Sequence, residues 1–193
     1  MNFKDWKTSA ENLKNIKYLS LMAAFIALKI ILSATYIPVS ENLRIGISFL
    51  VIALEASIVG PIAGMVSGAV TDIVSFIIFP NGPFFPGYTL TAMLGELFYA
   101  LLLYNKKITV VRITIAKILN NYLVNVGLGS LWSSMLYGNA YLVYFARSII
   151  KNTILLPIEV LLLVILFNLL GKALVKKKFL SSENTFPLPV IKK

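Results

Sequence analysis

The chain has 193 residues, 58% of them hydrophobic and 13% charged, with a mean hydropathy of +0.83 and a net charge of +10. So apolar a composition is rare in a soluble domain of this length. The lack of any cysteine or histidine excludes disulfides, thiol chemistry and His-based metal or acid–base sites.

Runs such as 18–37 and 154–171 are nearly free of charge and long enough to cross a hydrocarbon layer of about 30 Å. In lipid only helices and closed barrels satisfy their backbone, and these Leu/Ile/Ala-rich runs are too long for barrel strands. The predicted fold is all-α: an integral membrane bundle of six transmembrane helices forming one domain over 17–175. An N-terminal interfacial segment (1–16) precedes it and a basic, disordered cytoplasmic tail (176–193) follows. The N-terminus does not read as a cleavable signal, because its apolar run begins near Tyr18, is long and lacks a cleavage site.

In chain order, the first segment places Phe3, Trp6, Ala10, Leu13 and Ile16 at helical spacing. That pattern suits either a short helix in the inner interface or a frayed extension of the first span. The spans then fall at roughly 17–37, 46–59, 61–79, 88–104, 110–136 and 148–174. Only Gly60-Pro61 separates the second from the third, so the second is expected to be short. The fifth is interrupted by Gly127 and Gly129. The end of the chain, SSENTFPLPVIKK, has a disordered composition.

Basic residues fix the expected orientation. Lys4, Lys7, Lys14 and Lys17 precede the first span, Lys106, Lys107 and Arg112 lie between the fourth and fifth, and Lys172, Lys176, Lys177, Lys178, Lys192 and Lys193 follow the sixth. The remaining connections hold only Arg44 and Arg147. The positive-inside rule therefore puts both termini in the cytoplasm and segments 38–45, 79–87 and 137–147 outside.

Two small-residue stripes stand out: Ser20, Ala23, Ala24 and Ala27 in the first span, and Gly60, Gly64 and Gly68 in the third. Such spacing lets helix backbones approach closely in lipid. Packing within the bundle is the default for the glycines, while spacing alone leaves the alanines open between internal packing and a partner surface. Lys29, Glu55, Asp72, Glu96, Lys117, Lys151 and Glu159 fall within or near the spans, where each charge needs a partner, an aqueous cavity or the interface. Lys117 and Glu159 read as paired or snorkelling residues. Asp72 and Lys29, in the outer halves of their spans, are candidates for lining a cavity open to the outside.

The outer stretch FPNGPFFPGYTL (79–90) has three prolines, two glycines, four aromatics and no charge. Prolines and glycines give it a fixed, irregular path, which suits packing on protein or lining a cavity. Phe84, Phe85 and Tyr88 would then offer an aromatic wall to a flat ligand; the competing reading is an interfacial aromatic belt. Nearby, Asn121, Asn125, Gly129 and Trp132 recur at near-helical spacing, and Arg44 and Arg147 stand at the outer boundary with guanidinium groups suited to carboxylates. Aromatic walls, amides, one carboxylate and two guanidinium groups on one side suit a flat heterocycle with an acidic tail.

Enzyme signatures are missing: there is no Gly-x-Ser-x-Gly elbow, no His-Glu-x-x-His and no phosphate loop, and the carboxylates are not clustered like metal ligands. No catalytic residue, metal, cofactor or nucleic-acid partner is expected.

Four segments carry a family resemblance: LRIGISFLVIALEASIVGPIAGMVSGAVTDIVSFIIFP (43–80), NGPFFPGYTLTAMLGELFYALLLY (81–104), NVGLGSLWSSMLYG (125–138) and ARSIIKNTILLPIEVLLL (146–163). Through them most of 18–175 resembles the S component, the substrate-binding membrane subunit, of energy-coupling factor (ECF) vitamin transporters, and more narrowly its folate-specific members. The resemblance implies a six-helix bundle that binds its vitamin from outside and docks on a shared transmembrane coupling subunit with two separate ATPases. It implies a partner interface at Ala23 and Ala27. For a folate, Asp72 would meet the pterin N–H donors, Phe84, Phe85, Tyr88 and Trp132 would stack on the rings, and Arg44, Arg147 or Lys29 would take the glutamate carboxylates. Asn125 and Asn152 would complete the hydrogen bonding. Lys29 stands where arginine is expected in this family. An S component for thiamine, riboflavin or pantothenate shares the fold, and a small membrane assembly protein without a ligand remains the reading from a different class.

Overall fold

The computed structural model describes residues 2–33, 36–40, 43–80, 82–138 and 140–191; the side chains of 36–40 and 43–45 lie outside that description. Helices account for most of the described chain. Their order is α1 (Phe3–Asn12), α2 (Ile16–Ser33), α3 (Ser48–Val59), α4 (Pro61–Ile78), α5 (Pro86–Leu103), α6 (Val110–Leu119), α7 (Gly129–Tyr137) and α8 (Tyr141–Lys176). A π-helical segment, Asn120–Leu128, joins α6 to α7 without a break. Among the described residues α2, α4 and α8 are both long and apolar enough to cross a membrane.

One element lies outside the all-helical expectation. Between α2 and α3, β1 (Tyr36–Ser40) and β2 (Leu43–Gly46) pair antiparallel with Tyr36 opposite Gly46, and the register shifts between Pro38 and Ser40. Tyr36, Ile37 and Val39 favour extended backbone, and a two-stranded ribbon tolerates Pro38 because every strand is an edge.

The turn between α3 and α4 is as tight as Gly60-Pro61 suggests. Gly60 takes φ +84, a conformation costly for residues with a Cβ, and Pro61 opens α4 at a position where its missing N–H is not needed. The twelve residues of α3 span only about 18 Å. The glycine stripe of α4 is internal packing: a Cβ on Gly68 would sit 2.8 Å from the Ala92 carbonyl oxygen of α5. Ala53, Ala56, Ala63, Tyr99, Leu103, Ile113, Leu163 and Phe167 belong to the hydrophobic core of the bundle.

The interruption of the fifth apolar run is the π-helical segment itself. Its widened turn is a recognised cause of helix deflection. Its asparagines turn toward neighbouring helices: Asn120 donates to the Gly95 carbonyl, and Asn121 donates to Glu159 at 2.8 Å.

One end of the bundle is closed by both termini. α1 docks through buried polar groups, with Leu13 just after it packed against the core, while Phe3 stays exposed. Ser9 Oγ and Asn12 Nδ2 donate to the Val59 carbonyl at 2.9 and 3.0 Å, and Ala63 N–H donates to Ser9 Oγ. These bonds satisfy groups left open where α3 ends and α4 begins.

The tail departs from the disorder expected of 176–193. Leu180, Asn184 and Leu188 are buried, and Phe186 packs against Gly171. Asn184 Oδ1 accepts from Ile108 N–H at 2.7 Å, and Leu188 N–H donates to Asn168 Oδ1 at 2.8 Å. The Pro189 and Val190 carbonyls accept from the N–H groups of Val110 and Val111. A polar, Pro-containing segment holds this path because it supplies acceptors to the first turn of α6, whose N–H groups have no intrahelical partner.

Candidate ligand-binding site

At the opposite end from the termini, two cavities meet at Tyr88. The first, about 660 Å³, lies between α4, the 79–85 loop and α7, and is lined by Asp72, Phe76, Phe84, Phe85 and Tyr137 among others. The second, about 1030 Å³, lies between α7 and α8, and its polar lining includes Asn125, Ser130, Ser133, Arg147 and Lys151. Both volumes are in the range of small-molecule sites.

The 79–90 stretch forms the wall between them. Pro86 starts α5, and Tyr88 N–H bonds back to the Phe85 carbonyl, fixing the rings at the helix entrance. Phe85 packs on Trp132 with centroids 5.7 Å apart and on Tyr88 at 6.1 Å; Phe84 packs on Phe76 at 5.2 Å. Trp132 Nε1 donates to Thr91 Oγ1 at 3.0 Å, and the Tyr88 hydroxyl meets Ser133 Oγ at 3.1 Å. Asp72 accepts from Thr89 Oγ1 at 2.6 Å. Tyr88 and Trp132 are thus oriented by side-chain hydrogen bonds across α5 and α7, and the phenylalanines by ring contacts, which an interfacial belt does not require.

Most candidates from the sequence converge on this region. Asp72, Phe84, Phe85 and Tyr88 line the first cavity, and Tyr88, Asn125 and Arg147 the second. Asn152 is buried just behind: it donates to the Ser148 carbonyl and accepts weakly from Asn125 at 3.5 Å. Arg44 lies on β2, opposite Pro38, but its side chain is outside the described residues.

Lys29 does not join them. Its ammonium is buried in the bundle, 2.6 Å from Glu55 Oε2 and 2.7 Å from Glu96 Oε1, with Ser67 Oγ at 3.0 Å. Ser67 in turn donates to Glu55 Oε1 at 2.5 Å. Two carboxylates from α3 and α5 claim this cation more strongly than a water-filled cavity does. Lys29 therefore ties α2 to three other helices instead of lining the cleft. Lys117 and Glu159 form a second buried pair at 3.1 Å, as their sequence positions suggest, with the ammonium 4.0 Å from the Phe49 ring centroid.

Three further residues line the second cavity without being among the candidate ligand residues. Lys151 was visible as an ionisable residue one turn after Arg147, and i,i+4 spacing puts both on one face of α8. Ser130 and Ser133 carry no sequence signal of their own; only the pairing of α7 with α8 and α5 brings them to the cleft.

Comparison with known proteins decides the family. Residues 17–174 match the family "ECF transporter, substrate-specific component". The chain belongs to the ECF-transporter S components. Among its relatives is the folate transporter FolT of Clostridium novyi (strain NT), 32% identical over 151 residues that cover 78% of this chain and 88% of the relative. Another is the folate transporter FolT of Leuconostoc mesenteroides, 33% identical over 147 residues, covering 72% and 78%. The crystal structure of a FolT bound with folic acid is similar in fold, with a TM-score of 0.67, 32% identity, and coverage of 76% of this chain and 88% of that one. The S component is accordingly a membrane transport subunit and not an enzyme. Its alanine stripe is also accessible: Ala23, Ala24 and Ala27 are exposed on α2, while Met22, Lys29 and Ile30 face inward.

Proposed function

We propose that this S component is the high-affinity folate-binding subunit of an ATP-driven ECF importer, taking folate from outside and docking on a shared transmembrane coupling subunit served by two separate ATPases. The observation that carries the reading is the match in sequence and fold, over three-quarters of the chain, to a FolT solved with folic acid. The cleft chemistry agrees with it. Asp72 suits the donor edge of a pterin, the Phe84, Phe85, Tyr88 and Trp132 rings suit its flat faces, and Arg147 suits the glutamate carboxylates. Arg44, on the hairpin, is proposed as a further carboxylate contact, and Asn125 and Asn152 as hydrogen-bonding groups.

The proposed topology is a multi-pass protein of the cell membrane: one domain of six spans over 17–175 with both termini cytoplasmic. It is supported by the gathering of α1, the 104–109 connection and the tail at one end of the bundle, joined by Asn105–Asp5 and Ile108–Asn184 bonds. That end carries most of the lysines. Ala23 and Ala27 are proposed as the surface that meets the coupling subunit, because small residues on a lipid-facing helix admit a partner backbone.

Thermal unfolding of the purified chain in detergent tests the ligand class. Folic acid at one hundred times its Kd should stabilise the fold by about 2.7 kcal/mol and so raise Tm, while thiamine, riboflavin and pantothenate leave it unchanged. A shift with one of those vitamins and none with folic acid would reassign the pocket.

A further inference from the structure

The two cavities that meet at Tyr88 differ in electrostatic character. Among the described residues the first presents one carboxylate, Asp72, and no cation. The second presents two cations, Arg147 and Lys151, and among the described residues no carboxylate. Neither cation is paired with a carboxylate among the described residues. They stand four residues apart on α8, so both head groups project over the same stretch of the cavity. On α7, Ser130 is one of the residues lining the same cavity; it is 2% exposed, and its buried Oγ has no hydrogen-bond partner. A buried hydroxyl left without a partner is uncommon and costly, and here it belongs to a residue that shares its cavity with two cations.

We propose that Arg147 and Lys151 form a dicarboxylate clamp, completed by the Ser130 hydroxyl as a third donor, that holds the glutamate end of the ligand between α7 and α8. The heterocyclic end is thereby directed across Tyr88 toward Asp72. Lys151 and Ser130 become specificity-determining residues. They distinguish a pterin carrying a dicarboxylate from one lacking it, because hydrogen bonds from a charged donor lose their partner when the carboxylates are absent. This inference rests on the folate reading above.

The test is to titrate the full chain in detergent with folic acid and with pteroic acid, which ends at the aminobenzoate and lacks glutamate. Wild type should prefer folic acid by at least about a hundredfold, as expected for two charge-assisted contacts present in one complex only. Lys151→Gln and Arg147→Gln should each lower that preference about tenfold, and Ser130→Ala about threefold, whereas Lys151→Arg should keep it. Circular dichroism confirms that each variant is folded, and the preference is read only within a folded sample. Equal binding of both ligands by wild type would overturn the clamp. So would a preference untouched by both glutamine variants, which would leave the two cations facing outer-leaflet phosphates. If wild type binds neither compound, the folate reading itself fails and the clamp fails with it.

Discussion

Lys29→Met should destabilise the protein by about 3–5 kcal/mol, the usual consequence of removing one partner from a buried ion pair. The substitution keeps the length of the side chain and its apolar stem. It strands Glu55 and Glu96, each about 1% exposed or less, without the ammonium now within 2.7 Å of both. Because the group joins α2, α3, α4 and α5, the loss should appear as a single cooperative shift in chemical denaturation in micelles. Glu96→Gln is the informative companion. It leaves Lys29 with Glu55 as a neutral pair and should cost far less than Lys29→Met. A change below about 1 kcal/mol for Lys29→Met would mean the cation is hydrated, as surface pairs are, and would return Lys29 to the cleft.

The second large effect is expected on transport and not on stability. Ala23→Leu together with Ala27→Leu should reduce folate uptake by cells carrying the whole importer at least tenfold, while folate binding by the isolated subunit is kept. The alanines are exposed on α2, and neither lines a cavity near the proposed ligand. Enlarging both fills the space in which a partner helix would approach, and small-residue interfaces in lipid depend on that closeness. Uptake assays paired with binding to purified protein separate the two steps. Full uptake by the double variant would show that this face of α2 meets lipid only.

Local signals in the sequence carried a good part of this description. The Gly60-Pro61 turn, the short α3 and the pairing of Lys117 with Glu159 all follow from residues near one another or from simple charge balance. The Phe84, Phe85 and Tyr88 part of the aromatic wall was legible for the same reason: its prolines and rings lie within twelve residues. What stayed hidden depends on contacts far apart in the chain. Lys29 looked like a cavity residue because nothing around position 29 announces that Glu55 and Glu96 converge on it, 26 and 67 residues on. The tail looked disordered by composition, yet its order comes from acceptors matched to the open N–H groups of α6 and from Asn168 on α8. α1 was read by its apolar spacing, whereas the hydrogen bonds that dock it come from Ser9 and Asn12, polar residues that the apolar pattern passes over. The serines of the cleft, Ser130 and Ser133, are ordinary residues brought to the cavity only by which helices face each other.

The central claim, a folate held against the Phe85–Trp132 wall, is tested most directly by tryptophan fluorescence. The chain has two tryptophans, and Trp6 lies in α1 at the far end, so Trp6→Phe leaves Trp132 as the sole reporter. Folic acid titrated into that variant in detergent should quench the emission saturably, with one ligand bound per chain. A folded, monodisperse sample whose emission shows no saturable response to folic acid would contradict the account.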